Sequence, residues 1–469
     1  MKYLVLELSL ALVALLVFFL GLGRRPERRR DLGYVAGGGL LAIFLLSFFV
    51  ETGGGLFGGA YVMDGLALFA KQLFVVATLL CVLGSLALPN PTFERRAAEY
   101  YLLLLASLLG MMVLASAREL ILLFVAFELM SIPLYVLAGF LKREPEAVEA
   151  SLKFFLVGSL STAILAYGLS FIYGVTGTTD LNAVVKGLKA GHPLLLLGMI
   201  LTLAGFGFKI AAVPFHMWVP DTYEAAATPY VAWLSVAPKA AGFIAIFRVY
   251  LEGLSTEAER WAPYAAILAA ITIIAGNLMA LPQRNVKRLL AYSGIAHIGY
   301  MLLGLAAVST YGAAMILFYL VTYVFSNMGA FLVVEAIIRS EGSEDMSAFR
   351  GLAQRSPLLA LAMLLFLLSL GGIPFVAGFW AKLYVFWAAA QAGRYELVVI
   401  GAVLTVVALY YYLMVAKRMY IEPPEHAYRI PVEPSLGLAL TISALAVVLI
   451  GLYPRPLLDA TLAVAASLF

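Results

Sequence analysis

Charge is scarce in this sequence, and so are the residues most used to hold metals and redox centres. Only 12% of the 469 residues are Asp, Glu, Lys or Arg, and there are one cysteine and four histidines. The single thiol, Cys81 in "VATLLCVLGS", cannot hold an iron–sulfur cluster or form a CxxC pair, and reads as an apolar packing residue. His192 and His426 fall in loops. Neither has a partner at metal-ligand spacing, so no metal site is expected. The glycine-rich "ETGGGLFGGAY" reads as a loop. It lacks the Walker lysine and a strand-to-helix setting, so it is assigned no phosphate. No dinucleotide fingerprint occurs, so no cofactor-binding site is expected in this chain.

What is abundant is apolar. Hydrophobic residues make up 63% of the chain, and the mean hydropathy is +0.98. Runs of about 20 apolar residues recur, each long enough to cross a hydrocarbon core of about 30 Å. Backbone groups in lipid must be satisfied within the segment, so the runs are helices. They are continuous rather than alternating, which excludes a barrel. The expected fold is all-α, with about fourteen spans near 3–22, 32–50, 64–88, 98–116, 118–141, 149–174, 193–215, 228–251, 261–281, 286–306, 311–338, 357–388, 395–420 and 434–454. "PNPTFERR" and "EPPEHAYRIPVEP" read as proline-rich breaks. No soluble domain, disordered tail or lipidation motif is evident.

The first run, 3–22, lacks a strongly basic start and a small-x-small cleavage site, so it is not read as a cleaved signal. Basic clusters fall in alternate loops: "RRPERRR", "ERR" at 94–96, "LKRE", "QRNVKR", "RSEGSEDMSAFRGLAQR" and "AKR" at 416–418. The intervening loops are poorer, with Lys186, Lys189, Arg260 and Arg394. The rich side is cytoplasmic, and both termini then face outward, as an even number of spans requires.

The few charges inside the spans carry the functional reading. Each costs at least about 2.5–3.5 kcal/mol at the bilayer centre, and the default meaning of such a residue is an ion or proton path. Glu128, in "LLFVAFELMSIPLYV", is too short to reach water, and the bland alternative is a structural ion pair. Lys209 lies deep in its span with Pro214 just after it. The proline is expected to open the helix and free carbonyls that hold water beside the ammonium. A lysine among apolar neighbours gives up part of its preference for charge and becomes a usable proton carrier. Lys239 and Lys382 repeat the pattern, in "LSVAPKAAGFIAIF" and after "GGIP". Lys153 and Lys287 lie near the cytoplasmic ends of their spans, where snorkelling competes. His216 and His297 can exchange protons near neutral pH or serve as hydrogen-bonded caps. Two unit charges ~7 Å apart at an effective dielectric of ~20 interact by roughly 2.4 kcal/mol, enough to move a neighbour's proton. The expected site is a mid-membrane row of ionisable groups alternating with hydroxyls and water.

"GFGFKIAAVPF" and "GGIPFVAGFWAKL" place glycine, proline and lysine together once in each half, which points to an inverted repeat with the site at the breaks.

"FELMSIPLYVLAGF", "FGFKIAAVPFHMWVPDTYEAA", "KRLLAYSGIAHIGYMLLG" and "GFWAKLYVFWAA" closely resemble the antiporter-like subunits of respiratory complex I, and among them the N type. The M and L types usually read "P-H-WLPDA" where this chain has "PFHMWVPD". The M type usually carries a glutamate where this chain has Lys382. One departure is "YEAAATPYVAW", where the N type more often has "YQGAPTPV". The resemblance spans roughly residues 60–420. It implies three N-terminal helices within 1–97, inverted five-helix repeats at 98–251 and 261–420, and a last helix and tail within 421–469. It implies that Glu128, Lys153, Lys209, His216, Lys239, Lys287 and Lys382 serve proton translocation driven by electron transfer from NADH to quinone. FMN and iron–sulfur clusters would sit in partner subunits, and paralogous membrane subunits would flank the chain in a bacterial inner membrane. The alternatives are a subunit of a multi-subunit sodium/proton antiporter, of a membrane-bound hydrogenase or of a ferredoxin-dependent relative. A purely structural membrane scaffold is a further contrast.

Overall fold

The structure, a computed structural model, describes residues 2–23, 31–86, 88, 90–142, 144–187, 192–426 and 428–468. The basic cluster at 24–30, Arg143 and Lys189 lie outside the described residues.

The chain begins with α1 (Val5–Gly23), α2 (Leu32–Ser47) and α3 (Gly65–Ser85). The first half continues through α4 (Pro91–Ser116), α5 (Leu120–Ala138), α6 (Pro145–Thr176), the short α7 (Leu181–Gly187), α8 (Pro193–Ile210), α9 (Val219–Ala225), α10 (Thr228–Leu234) and α11 (Ala237–Ile246). A π-helical turn, Phe247–Gly253, prolongs α11. The second half holds α12 (Ala258–Ala280), α13 (Val286–Ala306), α14 (Thr310–Glu341), the one-turn α15 (Leu352–Arg355), α16 (Pro357–Gly371), α17 (Ala377–Gln391) and α18 (Tyr395–Tyr420). α19 (Pro434–Leu452) and α20 (Arg455–Ala465) close the chain.

Among the described residues, 12 helical stretches are long and apolar enough to cross a membrane, and α2 and α16 are shorter apolar helices. Together they fall at the fourteen positions where spans are expected. Four local details differ. α4 starts at Pro91, not near 98, because Asn90 accepts hydrogen bonds from Thr92 N and Phe93 N and Pro91 fits the first turn. The supposed proline-rich break is therefore partly a helix start. The glycine-rich loop contains a small hairpin, β1 (Gly54–Leu56) against β2 (Tyr61–Met63), with Leu56 opposite Tyr61. Its turn uses Gly58 and Gly59 at φ +69° and +98°. The expected tail after the last span includes α20. The span expected at 228–251 is broken, with α10 ending before Ser235 and α11 starting at Ala237.

The two sequence breaks share one design. After α8, Ala211 is left-handed at φ +65°, Ala212 N donates to Gly207 O and Ala211 N to Phe208 O. After α16, Gly372 is left-handed at φ +81°, Ile373 N donates to Leu368 O and Gly372 N to Ser369 O. Both are Schellman closures, which satisfy the last carbonyls without water. The left-handed residue, not the proline, ends each helix. Pro214 and Pro374 follow in the connecting turns and only prevent the helix from resuming directly.

Burial separates the inner helices from the outer ones. The apolar window of residues 228–253 is 100% buried, that of α13 94% and that of α14 89%, against 28% for α18 and 33% for α6. The inner three therefore form the axis, and α6 and α18 show wide faces to lipid or partners. Close approach is set by small residues. A Cβ on Gly110 of α4 would lie 2.3 Å from Met130 N of α5, and one on Gly276 of α12 would lie 2.5 Å from Ala296 N of α13. Ser107 Oγ also donates to Met130 O at 2.8 Å, so α5 is held to α4 next to Glu128.

Candidate functional site

Lys209 occupies the last turn of α8 and is 2% exposed. Its Nζ donates to Ser131 Oγ at 2.7 Å, and Ser131 in turn donates to Phe127 O at 2.6 Å. The ammonium lies over the rings of Phe127, Tyr135 and Phe208 at 5.0, 5.7 and 5.9 Å. Such contacts stabilise a desolvated cation without a counter-charge. The carbonyls freed by the helix break are not offered to water at this point. Gly207 O and Phe208 O accept from the backbone of the break, and Phe208 O also accepts from Trp218 Nε1 at 3.2 Å.

Glu128 lies one turn before Ser131 on α5 and is half-buried. Its Oε1 accepts from Thr162 Oγ1 of α6 at 2.8 Å. Among the described residues no ion pair within 4 Å joins it to Lys209, so the bland ion-pair reading of Glu128 is not what the geometry shows.

Lys239 stands in the first turn of α11, just after the break at Ser235, and is 1% exposed. Its Nζ has no hydrogen-bond partner, and neither do the buried hydroxyls of Tyr223 and Tyr323. The three are neighbours. The Tyr223 ring is 5.5 Å from the Lys239 ammonium. A Cβ on Gly294 would touch both Tyr323 Oη, at 2.8 Å, and Lys239 Nζ, at 3.6 Å. Buried polar atoms are almost always paired, and here three of them stand together without a protein partner. The Lys209 stem rests against Gly242, one turn after Lys239 on the same helix.

The row continues through hydroxyls. His297 of α13 is bonded at Nδ1 to Tyr319 Oη, 2.7 Å, and at Nε2 to Tyr412 Oη, 3.2 Å. Tyr412 also bonds Ser293. The Tyr323 ring lies 5.1 Å from the imidazole, which joins this group to Lys239. One turn after His297, Tyr300 carries Lys382 over its ring at 4.9 Å. Lys382 Nζ donates to Gly371 O, at the second helix break, at 3.2 Å.

Lys287 and Lys153 lie elsewhere. Both line a cavity of about 710 Å³ at the end of the bundle where the basic loops fall, with Glu144, Glu149, Asp221 and Glu335. Lys287 is buried and donates to Glu224 O at 2.6 Å and Ala226 O at 2.9 Å. The Lys153 side chain is 48% exposed and pairs with Glu149 at 2.8 Å and Asp221 at 2.9 Å. Burial raises the Asp221 carboxyl, but hydrogen bonds from Lys153 and Arg288 outweigh it and hold the group below the usual carboxylate range. His216 is buried in the turn after α8, and its Nδ1 has no partner. His192 caps α8 by accepting from Leu194 N at 3.3 Å, and His426 stacks on Tyr428. Among the described residues no group of three or more His, Cys, Asp or Glu is placed to hold a metal.

The structure therefore groups Lys209 of α8, Lys239 of α11 and Lys382 of α17 around the inner helices with His297, and sets Lys153 and Lys287 in the separate cavity. Sequence reading missed Ser131, Tyr223, Tyr300, Tyr319, Tyr323 and Tyr412. A signal was present in "FYLVTYVFSN", where Tyr319, Tyr323, Ser326 and Asn327 recur at helical spacing within an apolar span.

Residues 117–408 match the family described as "NADH:quinone oxidoreductase/Mrp antiporter, TM". A protein of Moorella thermoacetica named NADH-quinone oxidoreductase subunit N is 42% identical, covering 99% of this chain and 98% of its own length. A chain of respiratory complex I from Thermus thermophilus superposes with a TM-score of 0.83 at 35% identity, over 97% of this chain and 98% of that one. A chain of the Mrp complex from Dietzia sp. shares the fold at TM-score 0.88 and 23% identity, over 100% of this chain and 97% of that one.

Proposed function

The chain belongs to the NADH:quinone oxidoreductase/Mrp antiporter membrane family, and from that premise we propose that Lys209, Lys239, His297 and Lys382 form its proton-carrying row. It is a proton-translocating membrane subunit of NADH:quinone oxidoreductase, coupling electron transfer from NADH to quinone to proton movement across the membrane. Other membrane subunits of that complex, antiporter-like ones among them, are its partners.

One observation carries the residue assignment. Among the described residues, the three buried lysines of the row have no carboxylate within ion-pair distance. A structural lysine in a dry interior is paired with an acid, because an unpaired charge there costs several kcal/mol. A lysine that gains and loses a proton needs instead hydroxyls, rings and room for water. That is what Ser131, Tyr223, Tyr323 and Tyr300 supply. Charge on one lysine disfavours charge on the next, so a proton moving along the row alters the affinity of its neighbours. Glu128, half-buried on α5 beside Ser131, is placed to bias Lys209 from the flank.

The cavity with Lys153, Lys287, Asp221 and Glu224 serves in this reading as the cytoplasmic mouth. In sequence, His216 lies between Asp221 of that mouth and the break at Ala211. The chain spans a bacterial inner membrane with both termini outward, as the basic loops direct. Repeats at 98–251 and 261–420 each carry one Schellman-closed break, at Ala211 and at Gly372, and helices within 1–97 and 421–469 flank them. The redox work belongs to partner subunits that hold FMN and iron–sulfur clusters, and this chain holds no redox centre of its own.

The test is Lys209→Ala in the native host. NADH oxidation and proton uptake are recorded together in inside-out vesicles at equal content of assembled complex. Both are expected to fall. If both are unchanged, the row is structural, and proton movement driven by a sodium gradient is the next measurement.

A further inference from the structure

A second set of buried charges lies at the opposite end of the bundle from the mouth, and two of its members precede residues 117–408, the part matched to the family. Glu7, in the first turn of α1, and Lys71, in the second turn of α3, form an ion pair at 2.7 Å with side-chain exposures of 6% and 0%. Tyr61 of β2 stands between them. Its hydroxyl is 2.8 Å from Glu7 Oε1, 2.9 Å from Lys71 Nζ and 3.1 Å from Tyr3 O. Lys71 Nζ also contacts Met63 Sδ at 3.2 Å.

Both contacts to Glu7, from Lys71 Nζ and from the Tyr61 hydroxyl, reach one carboxylate oxygen, Oε1. The other, Glu7 Oε2, is buried and has no partner. An ionised carboxylate seeks acceptor bonds at both oxygens, and a pair kept only for structure is stabilised by filling them. A carboxylic acid needs only one acceptor and turns its other oxygen into a donor. Glu7 Oε2, buried and without a protein partner, is thus a place where a proton fits.

A second group of charges joins the start of α3 to the helix of Lys239. Asp64 caps α3 and receives Arg248 Nη1 and Nη2 at 2.7 and 2.8 Å. Arg248 is fully buried, also binds Glu252, and lies on the π-helical continuation of the Lys239 helix. Arg118 completes the group on Glu252 at 3.0 Å. Outward of the pair lies the exposed Lys2–Glu51 ion pair, and Gly54 of the hairpin packs directly on Tyr3. Glu7 therefore sits just beneath the outer surface, covered by the hairpin.

We propose that Glu7 is a proton-binding site at the outer end of the bundle, with Lys71 and Tyr61 as its positioning residues. It rests on the proton-translocation reading above. A proton delivered from the central row forms the O–H bond at Oε2 and leaves a neutral acid beside the Lys71 ammonium. Breaking that bond to an outer water gives hydronium and restores the ion pair. No other atom or electron changes hands.

The variants are Glu7→Gln and the doubly neutral E7Q/K71M, both in the intact complex. Proton uptake per NADH oxidised is measured in inside-out vesicles at equal complex content, beside Lys209→Ala. The expected result is a loss of proton yield in E7Q that the double variant does not recover. Infrared difference spectra of the wild type during turnover should show a carboxylic-acid band that E7Q lacks. A structural pair behaves otherwise. Removing both charges leaves neither unpaired, so full yield in E7Q/K71M overturns the proposal, as does full yield in E7Q. If Lys209→Ala also leaves the yield intact, the underlying reading has failed. If only the Glu7 variants do, the outer site alone has.

Discussion

Lys209 and Ser131 meet at 2.7 Å, ammonium to hydroxyl, where an ion pair with Glu128 one turn away would have been the simpler arrangement. Among the described residues the hydroxyl is the lysine's one hydrogen-bond partner, and its ammonium otherwise lies over aromatic faces. Ser131→Ala leaves the charged form of Lys209 without that bond, a loss of about 1–3 kcal/mol for a buried group. Assembly should survive, because a small hydroxyl contributes little packing. Proton uptake per NADH oxidised should fall, and Ser131→Thr should restore it. Equal yield in the alanine and threonine variants would show that Lys209 works without the hydroxyl.

Gly372 fixes the second break. It sits at φ +81°, and a Cβ there would lie 2.9 Å from Lys382 Cδ. Gly372→Ala adds a left-handed cost of about 1–2 kcal/mol and pushes the lysine stem away from Gly371 O. Reduced proton yield with a modest drop in the melting temperature of the purified complex is the expected outcome. Ala211 already holds the matching position after α8, so Ala211→Gly should raise that temperature or leave it unchanged.

The mouth gives a pH test. Asp221 has its folded-state pKa held below the usual range by Lys153 and Arg288 despite burial. A depressed carboxylate contributes stability that is present above its unfolded pKa, about 3.9, and is lost as pH falls through the folded value. The difference in melting temperature between wild type and Asp221→Asn should therefore stay constant from pH 7 down to about 5 and shrink at lower pH. A difference that changed between pH 7 and 6 would contradict the assignment.

Arg248 offers the largest structural effect. It is fully buried and bonded to Asp64, Glu252 and Ala115 O. Arg248→Met removes the cation and leaves two carboxylates without it, which costs about 3–5 kcal/mol for a buried pair. Native gels should show little assembled complex. A normal amount would mean that Arg118 alone, at 3.0 Å from Glu252, suffices.

How much of this was legible in the sequence depends on what each residue's neighbours hide. Lys209, Lys239 and Lys382 stood out because a charge inside an apolar run has few ordinary explanations. The faces they point to did not, since hydropathy reports depth and not direction. Lys153 and Lys287 sit at similar depth, yet one is 48% exposed at its side chain and the other is buried under two carbonyls. Glu7 and Lys71 lie near helix ends, where snorkelling is the ordinary reading, and only their meeting through Tyr61 marks them. The start of α4 was written in Asn90 and Pro91, a cap followed by a first-turn proline, but the second proline two positions earlier made the stretch look like a loop. The tyrosines were hidden by their commonness in membrane helices.

Those tyrosines carry the last prediction. Tyr412 is bonded to both His297 and Ser293, whereas its neighbour Tyr411 donates to Asn277 at 3.0 Å and does not touch the imidazole. Phenylalanine at either position keeps the ring and its packing and removes only the hydroxyl. If the hydroxyls only hold the helices together, Tyr412→Phe and Tyr411→Phe should lower the melting temperature by similar amounts and leave the proton yield alone. If they relay protons between Lys239 and Lys382, Tyr412→Phe breaks the chain at His297, and the proton yield falls in that variant but not in Tyr411→Phe. His297→Gln should resemble Tyr412→Phe, because an amide can hold both hydroxyls in place but cannot pass a proton on. A wild-type yield in His297→Gln would move the path away from the imidazole and leave Tyr300, 4.9 Å from the Lys382 ammonium, as the remaining link within the row.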